Sequence, residues 1–429
     1  MSKFTKIQKK NDRTYSFTLE GCHVTFANTL RRLVLTGVET VAFRSDMTST
    51  GSTTDVIVRH NDTPMTNEML ADRIGLLPIH VTNPMDWNNK RYKFHLNVTS
   101  DKDSVKHVKS GHFIVMDESK VDQVAVDDNS GDEKKEEMVG ERVSTELFFP
   151  NNPITNDTCL IASLMPGTGT TQQRISIEAV ASKGTGREHA RFCPVSQCSY
   201  EYSPDDNPQR IQELFMKWLT VTKKVSNPDK GTERYAELQR EFNTMQIKRC
   251  FKIDDKGEPF SFDFTVESIG ILDVSYIINR ACEVGENICN RYVNLHQGDL
   301  PEEITLTAAD SRIIGFDFLF RKHDHTLGNL LQTWLVQHHI EGEAKPAITY
   351  AGYSVPHPLR DEMVLRVGVK DGKEATARAA VAAAAQGCAD WFKQLRGEWL
   401  AANGQGVAQK SVGRVAGKPR VGVASVKKL

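Results

Sequence analysis

The sequence predicts an α+β fold in which one order of elements occurs twice: a strand, a helix, further strands and a long helix. Three observations support this prediction. Apolar residues alternate with polar ones in four stretches, and they recur with a helical period in four others. In addition, residues 27–35 (ANTLRRLVL) and 328–336 (GNLLQTWLV) share a small residue, then Asn, then an apolar stripe in the same phase.

The four alternating stretches predict half-buried strands, because a period of two places every second side chain on the same face of a sheet. The first and third stretches precede the two matching segments. The apolar members are Tyr15, Phe17 and Leu19; Phe260, Phe262, Phe264 and Val266; Ile314, Phe316, Phe318 and Phe320; and Met363, Leu365, Val367 and Val369.

The four helical stripes predict amphipathic helices. Two of them contain the matching segments, and Asp324 stands where the second of these helices needs an N-cap. The other two predict long helices over about residues 273–293 and 373–402, each of which ends one copy of the pattern.

A two-copy pattern predicts two modules that pack against each other about a pseudo-twofold axis within one chain. We expect the contact to be made by the apolar stripes of the two matching helices. Their members are Phe26, Leu30, Leu33 and Val34 in the first copy, and Leu327, Leu330, Leu331, Trp334 and Leu335 in the second. The alternative is that each is an ordinary amphipathic helix of an unrepeated α+β protein.

Composition limits the function classes. Of the 429 residues, 39% are hydrophobic and 25% are charged, which is enough apolar material for real cores. The net charge of −1 argues against a protein that coats DNA through many phosphate contacts. We find no run of 18 apolar residues and no signal peptide, and eight cysteines are an ordinary number for an intracellular protein without disulfides.

Three stretches interrupt the repeated pattern. Residues 117–141 contain ten acidic residues against three lysines, which is typical of a solvated loop. Residues 203–230 are rich in Pro, Asn and Asp at their ends and enclose a helical piece at 211–219. After residue 402 the chain is rich in Gly, Val and basic residues and has no acidic ones, which predicts a flexible basic tail.

The sequence contains no pattern of residues that predicts catalysis, a cofactor or a metal. Cys193 and Cys198 lack a second cysteine pair, and no Gly-x-Ser-x-Gly or phosphate-binding Gly-Lys-Ser/Thr motif is present. His323 and His325 could suggest a metallohydrolase, but they lack the i, i+4 spacing with a glutamate, and Asp324 between them is better used as an N-cap.

Several motifs resemble those of one known family. The first half resembles the third-largest subunit of eukaryotic RNA polymerase II and its archaeal and bacterial alpha-subunit relatives, and the second half resembles the eleventh subunit of the same enzyme. The resemblance is carried in the first half by residues 27–35 with 40–43 (TVAF), 68–79 (EMLADRIGLLPI), 188–195 (EHARFCPV) and 264–270 (FTVESIG), and in the second by 323–331 (HDHTLGNLL) and 350–359 (YAGYSVPHPL).

The resemblance implies two alpha-subunit-like dimerisation domains that form an intramolecular pseudo-dimer. The first domain would comprise residues 1–85 plus 255–300, interrupted at 86–254 by an inserted, mostly β domain that includes the acidic loop. The second would comprise residues 301–402, followed by the tail at 403–429. A chain that contains both dimerisation partners resembles the fused subunit of large nucleocytoplasmic DNA viruses. The zinc-binding cysteines of some family members are missing, because no Cys lies between Cys22 and Cys159.

By the same resemblance, we expect a non-catalytic assembly platform of a multisubunit DNA-directed RNA polymerase. It would dock the two large catalytic subunits and small polymerase subunits, and it would contact DNA only through the complex, with no membrane and no cofactor. We expect Arg31, Arg32, Arg73 and His357 to contact the large subunits. Paired arginines can avoid the apolar stripe of their helix and bind carboxylates through two parallel hydrogen bonds.

Two other function classes remain open on the sequence alone. A free-standing transcription factor or adaptor could use the same pairing fold and bind DNA directly through the basic tail. The metallohydrolase with His323 and His325 is the other. The expected location is a viral factory or virion for a viral chain, and otherwise the nucleus.

Overall fold

A computed structural model describes residues 3–46, 55–120, 140–167, 172–225, 231–310 and 312–403. Most of the predicted acidic loop and nearly all of the predicted basic tail lie outside these residues. Within them, the α-helices are α1 (Val24–Thr36), α2 (Asn67–Gly75), α3 (Pro208–Val221), α4 (Glu233–Met245), α5 (Val274–Asn290), α6 (His325–Leu335) and α7 (Glu374–Ala402).

The strands of the described residues pair only in antiparallel fashion. They are β1 (Phe4–Lys9), β2 (Thr14–Glu20), β3 (Glu39–Ala42), β4 (Val56–Asn61), β5 (Tyr92–Thr99), β6 (Lys106–Lys109), β7 (Ile114–Asp117), β8 (Glu141–Val143), β9 (Leu160–Leu164), β10 (Arg174–Val180), β11 (Ser182–Thr185), β12 (Val195–Tyr202), β13 (Ser261–Ser268), β14 (Ile304–Ala308), β15 (Gly315–Arg321), β16 (Tyr350–Ser354) and β17 (Glu362–Gly368). Helices packed on antiparallel sheets confirm the predicted α+β class.

The first module consists of a four-stranded sheet in the order β1-β2-β13-β12, with α1 and α5. Its two central strands are the alternating stretches predicted near residues 17 and 264. Phe17 pairs with Phe264 across the sheet, and their rings stack with centroids 5.1 Å apart. These two neighbouring strands, β2 and β13, are distant in sequence, because the region between them includes most of the other sheets.

The second module consists of the four-stranded sheet β14-β15-β17-β16 with α6 and α7. The two predicted stretches again become neighbours, since Phe318 lies opposite Leu365 and Phe320 opposite Met363. All four side chains are buried. Ile314 is an exception to the predicted pattern: it precedes β15 and is 68% exposed, because the chain turns there before the strand begins.

The inserted region has its own core beneath the five-stranded sheet β4-β10-β5-β7-β8 and the pair β6-β9. This core begins earlier than predicted, since Phe43, Leu70 and Ile74 are buried in it. It also ends earlier, because β12 completes the sheet of the first module. The buried clusters therefore divide the chain differently from the predicted boundaries at 85/86 and 254/255.

A helical hairpin lies between the inserted region and β13. Helices α3 and α4 bury a small core of their own, made by Phe215, Trp218, Leu219 and Phe242. The sequence predicted a helix at 211–219 within this part but not the second helix. Because the hairpin core is separate from those of the two modules and the inserted region, it adds a fourth compact element to the chain.

The interface between the two modules

Helices α1 and α6, which carry the two matching segments, contact each other through polar side chains. The hydroxyl oxygens of Thr25 and Thr333 lie 3.0 Å apart, and both residues are buried. The Nδ2 of Asn329 donates to the same Thr25 hydroxyl at 3.4 Å. The corresponding Asn28 of α1 instead accepts a hydrogen bond from Nε of Arg31 at 3.0 Å. The matched asparagines therefore have different partners.

Arg32 of α1 binds two residues at the beginning of α6. Its Nε donates to the Thr326 hydroxyl at 2.8 Å, and its Nη2 lies 3.2 Å from Oδ2 of Asp324. Asp324 is the predicted N-cap of α6, and this prediction is confirmed, since its Oδ1 accepts from the backbone N–H of Thr326 at 2.7 Å. Arg32 thus avoids the apolar stripe of α1 and at the same time binds the second module.

The surroundings of Asp324 favour its charged form. Burial opposes ionisation, but the hydrogen bonds from Thr326 and the charges of Arg32 and Arg187 outweigh it and hold the pKa of Asp324 below its ordinary value. The ion pair with Arg32 is therefore formed at neutral pH.

An apolar core is shared by the two modules. It combines Phe26, Leu30, Leu33 and Val34 of α1 with one predicted residue of α6, Leu330, and with residues of α7. Trp334 packs against this shared core and also against the core of the second module. Its ring lies 6.0 Å from that of Phe26. The other three predicted residues of α6, Leu327, Leu331 and Leu335, lie in the core of the second module.

The most extensive contact between the modules is made by α5 and α7. Phe392 of α7 lies against Gly285 of α5 so closely that a Cβ there would be 2.8 Å from the ring. Nε1 of Trp399 donates to the carbonyl oxygen of Ser275 at 3.1 Å. Burial and the adjacent Cys289 thiol raise the pKa of Cys388 well above its ordinary value, so the Cys388 thiol acts as a small apolar group.

The sequence predicted both long helices but did not place them at the interface. The signal was present in the small residues of their buried faces. Gly285, Ala281 and Cys282 of α5 are all buried, as are Ala385, Cys388 and Ala389 of α7. Small residues on both faces allow two helix backbones to approach closely, which leucine-rich stripes do not.

The four residues predicted to contact large subunits lie apart from one another. Arg31 lies beside the edge strand β12, and Arg73 is exposed on α2 with its Nη2 3.4 Å from the carbonyl oxygen of Leu160. His357 is exposed between β16 and β17. Arg32 alone lies between the modules, so the four residues do not form one continuous site.

His323 and His325, which the metallohydrolase hypothesis requires, point to different partners. His323 is buried, and its Nε2 lies 2.6 Å from the hydroxyl of Tyr292. His325 is exposed, with Nδ1 3.3 Å from the hydroxyl of Tyr353. In the part of the chain that the structure describes, no group of three or more His, Cys, Asp or Glu side chains is arranged to hold a metal ion.

A cavity of about 260 Å³ opens between the modules, next to the Arg32–Asp324 pair. Its walls come from α1, α5, α6 and α7, from Thr185 at the end of β11 and from Arg187 in the loop that follows. None of the helices in the described part of the chain combines the length and the apolar character that a membrane span requires.

Comparison with known proteins identifies the two modules. Two family models, both described as "RNA polymerase Rpb3/Rpb11 dimerisation domain", match the chain, one over residues 16–109 and the other over residues 316–398. The first match includes β2 and α1, and the second includes β15, α6 and most of α7.

Curated relatives agree with this result. The chain is 24% identical over 317 residues to DNA-directed RNA polymerases I and III subunit RPAC1 of Bos taurus, covering 66% of this chain and 82% of the relative. It is 25% identical over 304 residues to subunit 3B of DNA-directed RNA polymerases IV and V of Arabidopsis thaliana, covering 65% and 86%. With subunit Rpo3 of the Methanosphaera stadtmanae polymerase it is 24% identical over 307 residues, covering 67% and 98%. The chain thus carries two Rpb3/Rpb11 dimerisation domains and is homologous to RNA polymerase subunits of the Rpb3 and RPAC1 type.

Proposed function

We propose that the chain is a non-catalytic assembly platform of a multisubunit DNA-directed RNA polymerase. In this role its two dimerisation domains pair with each other and present one joint surface to the two large catalytic subunits. The observation that carries the proposal is the core shared by α1, α5, α6 and α7, which contains residues of both modules.

Pairing within one chain has a physical advantage. Linking two binding partners raises their effective concentration to the order of millimolar. The platform then forms without an encounter between two separate subunits. It would be complete before any large subunit arrives.

Affinity purification of the full chain from the cells in which it acts tests the assembly role. We expect two polypeptides much larger than 48.1 kDa to co-purify with it, identified by mass spectrometry. A chain that purifies alone and binds DNA in a salt-sensitive manner would contradict the proposal and support the free-standing factor.

The pairing can be tested in the intact chain with a disulfide. In the double variant Thr25→Cys with Thr333→Cys, oxidation should join the two positions, since the hydroxyls that the thiols replace are 3.0 Å apart. A non-reducing gel should show a faster band. Thr25→Cys with Thr307→Cys, which places the second thiol on an exposed position of β14, is the matched control and should not form the link. Equal linking in both variants would contradict the pairing.

The docking of large subunits would rest on two basic residues, the half-buried Arg31 and the exposed Arg73. Arg31 and Arg73 remain accessible, so we expect Arg31→Glu and Arg73→Glu each to reduce the co-purified large subunits at least tenfold. Arg234→Glu on α4, also exposed, is the control and should have no effect. The contact of His357 and the viral or nuclear location stay predictions.

A further inference from the structure

The cavity between the modules has an apolar wall that both modules build. Leu33 of α1 and Val284 and Ile288 of α5 line it from the first module, and Leu327, Leu330 and Phe392 line it from the second. A volume of about 260 Å³ is large enough for one bulky side chain. An apolar group placed there would contact both modules at once.

The charged residues that line this cavity carry an excess of positive charge. Three are cationic, namely Arg187, Arg291 and Lys322, and one, Asp324, is anionic. Asp324 already pairs with Arg32, and Arg187 is paired with Asp361. The cations at 291 and 322 therefore decide the net charge of the cavity.

Neither Arg291 nor Lys322 has an ion-pair partner among the described residues, although both are exposed at the cavity. Arg291 stands at the C-terminus of α5, where a cation is favoured by the helix dipole. Lys322 does not lie at a helix C-terminus, so no helix dipole favours its charge. It follows β15 with φ of 63°, a conformation that favours glycine or asparagine over lysine.

His323, which follows Lys322, is affected by the same excess of positive charge. Burial and the charges of Arg187 and Arg291 lower the pKa of His323 to about 4, against the opposing charges of Glu303 and Asp324. His323 is therefore neutral at physiological pH. The field that an incoming group meets at this edge of the cavity is positive.

We propose that the cavity binds a segment of a partner polymerase subunit that carries a bulky apolar side chain next to an aspartate or glutamate. The apolar side chain would fill the space between Leu33, Ile288 and Phe392, and the carboxylate would meet Arg291 and Lys322. Because the walls come from both modules, the segment binds only the paired chain. This inference rests on the proposed function and names the chemistry of one docking segment.

Carbodiimide coupling in the purified complex tests the carboxylate contact. This reagent joins a lysine amine to a carboxylate in direct contact, and mass spectrometry of the digested complex identifies the joined peptides. We expect Lys322 to be joined to an Asp or Glu of another polypeptide that has a large apolar residue within one or two positions. Lys322→Arg should abolish this link and leave the complex assembled, because it retains the charge but offers no amine.

Charge reversal measures the contribution to binding. Arg291→Glu with Lys322→Glu should reduce the amount of the joined polypeptide in the complex at least tenfold. The matched control is Lys370→Glu with Lys373→Glu in the same module, which changes the charge equally away from the cavity and should have no effect. Circular dichroism checks that the variants are folded.

The outcomes separate this inference from the proposed function. If the complex forms but Lys322 is joined only to Asp324 or Asp361 of its own chain, or to nothing, the docking segment is refuted while the assembly role stands. If no large polypeptides co-purify with the unaltered chain, the proposed function itself fails. If the charge-reversed chain does not fold, the coupling of Lys322 and its loss in Lys322→Arg decide the matter alone.

Discussion

The two modules meet in two layers of different chemistry. Between α1 and α6, hydroxyl, amide and guanidinium groups meet beside the apolar contact of Phe26 with Trp334, and the Arg32–Asp324 pair is about one-third exposed. Between α5 and α7 the centre of the contact is apolar and buried and depends on a glycine that admits an aromatic ring. Ion pairs of Arg396 with Glu283 and Glu286 lie beside it.

Because of this difference, the two layers contribute unequally to the stability of the pairing and to the alignment of the modules. Burial of apolar side chains contributes most of the free energy that holds two surfaces together, whereas a partly exposed ion pair contributes little. Hydrogen bonds and N-caps require particular atoms to meet and thus fix how the surfaces are aligned. We expect the α5–α7 layer to determine whether the modules pair and the α1–α6 layer to determine their register.

The largest effect should follow from removing the ring at the centre of the apolar layer. Phe392→Ala leaves a cavity opposite Gly285, and such truncations cost about 3–5 kcal/mol. Hydrogen exchange measured by mass spectrometry should show faster exchange in α5 and α7 together. Phe215→Ala is the matched control, because this ring is equally buried but lies in the separate core of α3 and α4. Faster exchange in α7 alone would mean that the two helices do not stabilise each other.

The next effect depends on pH and arises beside the polar layer. His323 has a pKa of about 4 in the folded chain, mainly because it is buried, and about 6.5 when unfolded. Between these values the unfolded chain binds the extra proton, so stability is complete above about pH 6.5 and falls as the pH approaches 4. The loss from this residue is about 3 kcal/mol at 1.4 kcal/mol for each pH unit.

Urea unfolding at several pH values measures this loss. His323→Gln should be less stable than the original chain at pH 7 and should lose less between pH 7 and 4.5. Parallel pH profiles for the two proteins would show that His323 does not titrate with folding. In that case the acid sensitivity belongs to other groups.

A smaller effect tests the close approach of α5 and α7. Gly285→Ala places a methyl group against the Phe392 ring and should cost about 1–3 kcal/mol, as overpacked sites do. Gly397→Ala on the exposed face of α7 meets nothing within 4 Å and should instead stabilise the helix by about 0.5–1 kcal/mol. Urea unfolding compares the two. Stabilisation by both substitutions would contradict the tight packing.

Much of the fold could be predicted because local patterns determine it. The alternation around Phe17 and Phe264 placed two strands that became direct neighbours, and Asp324 marked the start of α6 correctly. The boundaries of the inserted region could not be predicted in this way. They depend on which distant strand β12 pairs with and on the packing of α2, and neither is visible in a window of neighbouring residues.

The interface was predicted less well, for a physical reason. Periodicity shows which face of a helix is apolar but not which surface covers it. Leu327 and Leu331 share the stripe with Leu330, yet they pack on their own sheet while Leu330 reaches the first module. The role of Arg32 was missed similarly, because its partner Asp324 was already assigned as an N-cap and can serve both purposes.

The smallest effect should come from the ion pair of the polar layer, and a double-mutant cycle isolates it. Arg32→Met removes the charge, and Asp324→Asn removes the other charge but keeps a side chain that can cap α6. The coupling between the two should be about 0.2–1 kcal/mol near pH 7 and smaller in high salt. Since the folded pKa of Asp324 lies below its unfolded value of about 3.9, the coupling should persist above that pH and disappear as the pH falls further. A coupling of several kcal/mol would place the main stabilisation in the polar layer and reverse the comparison.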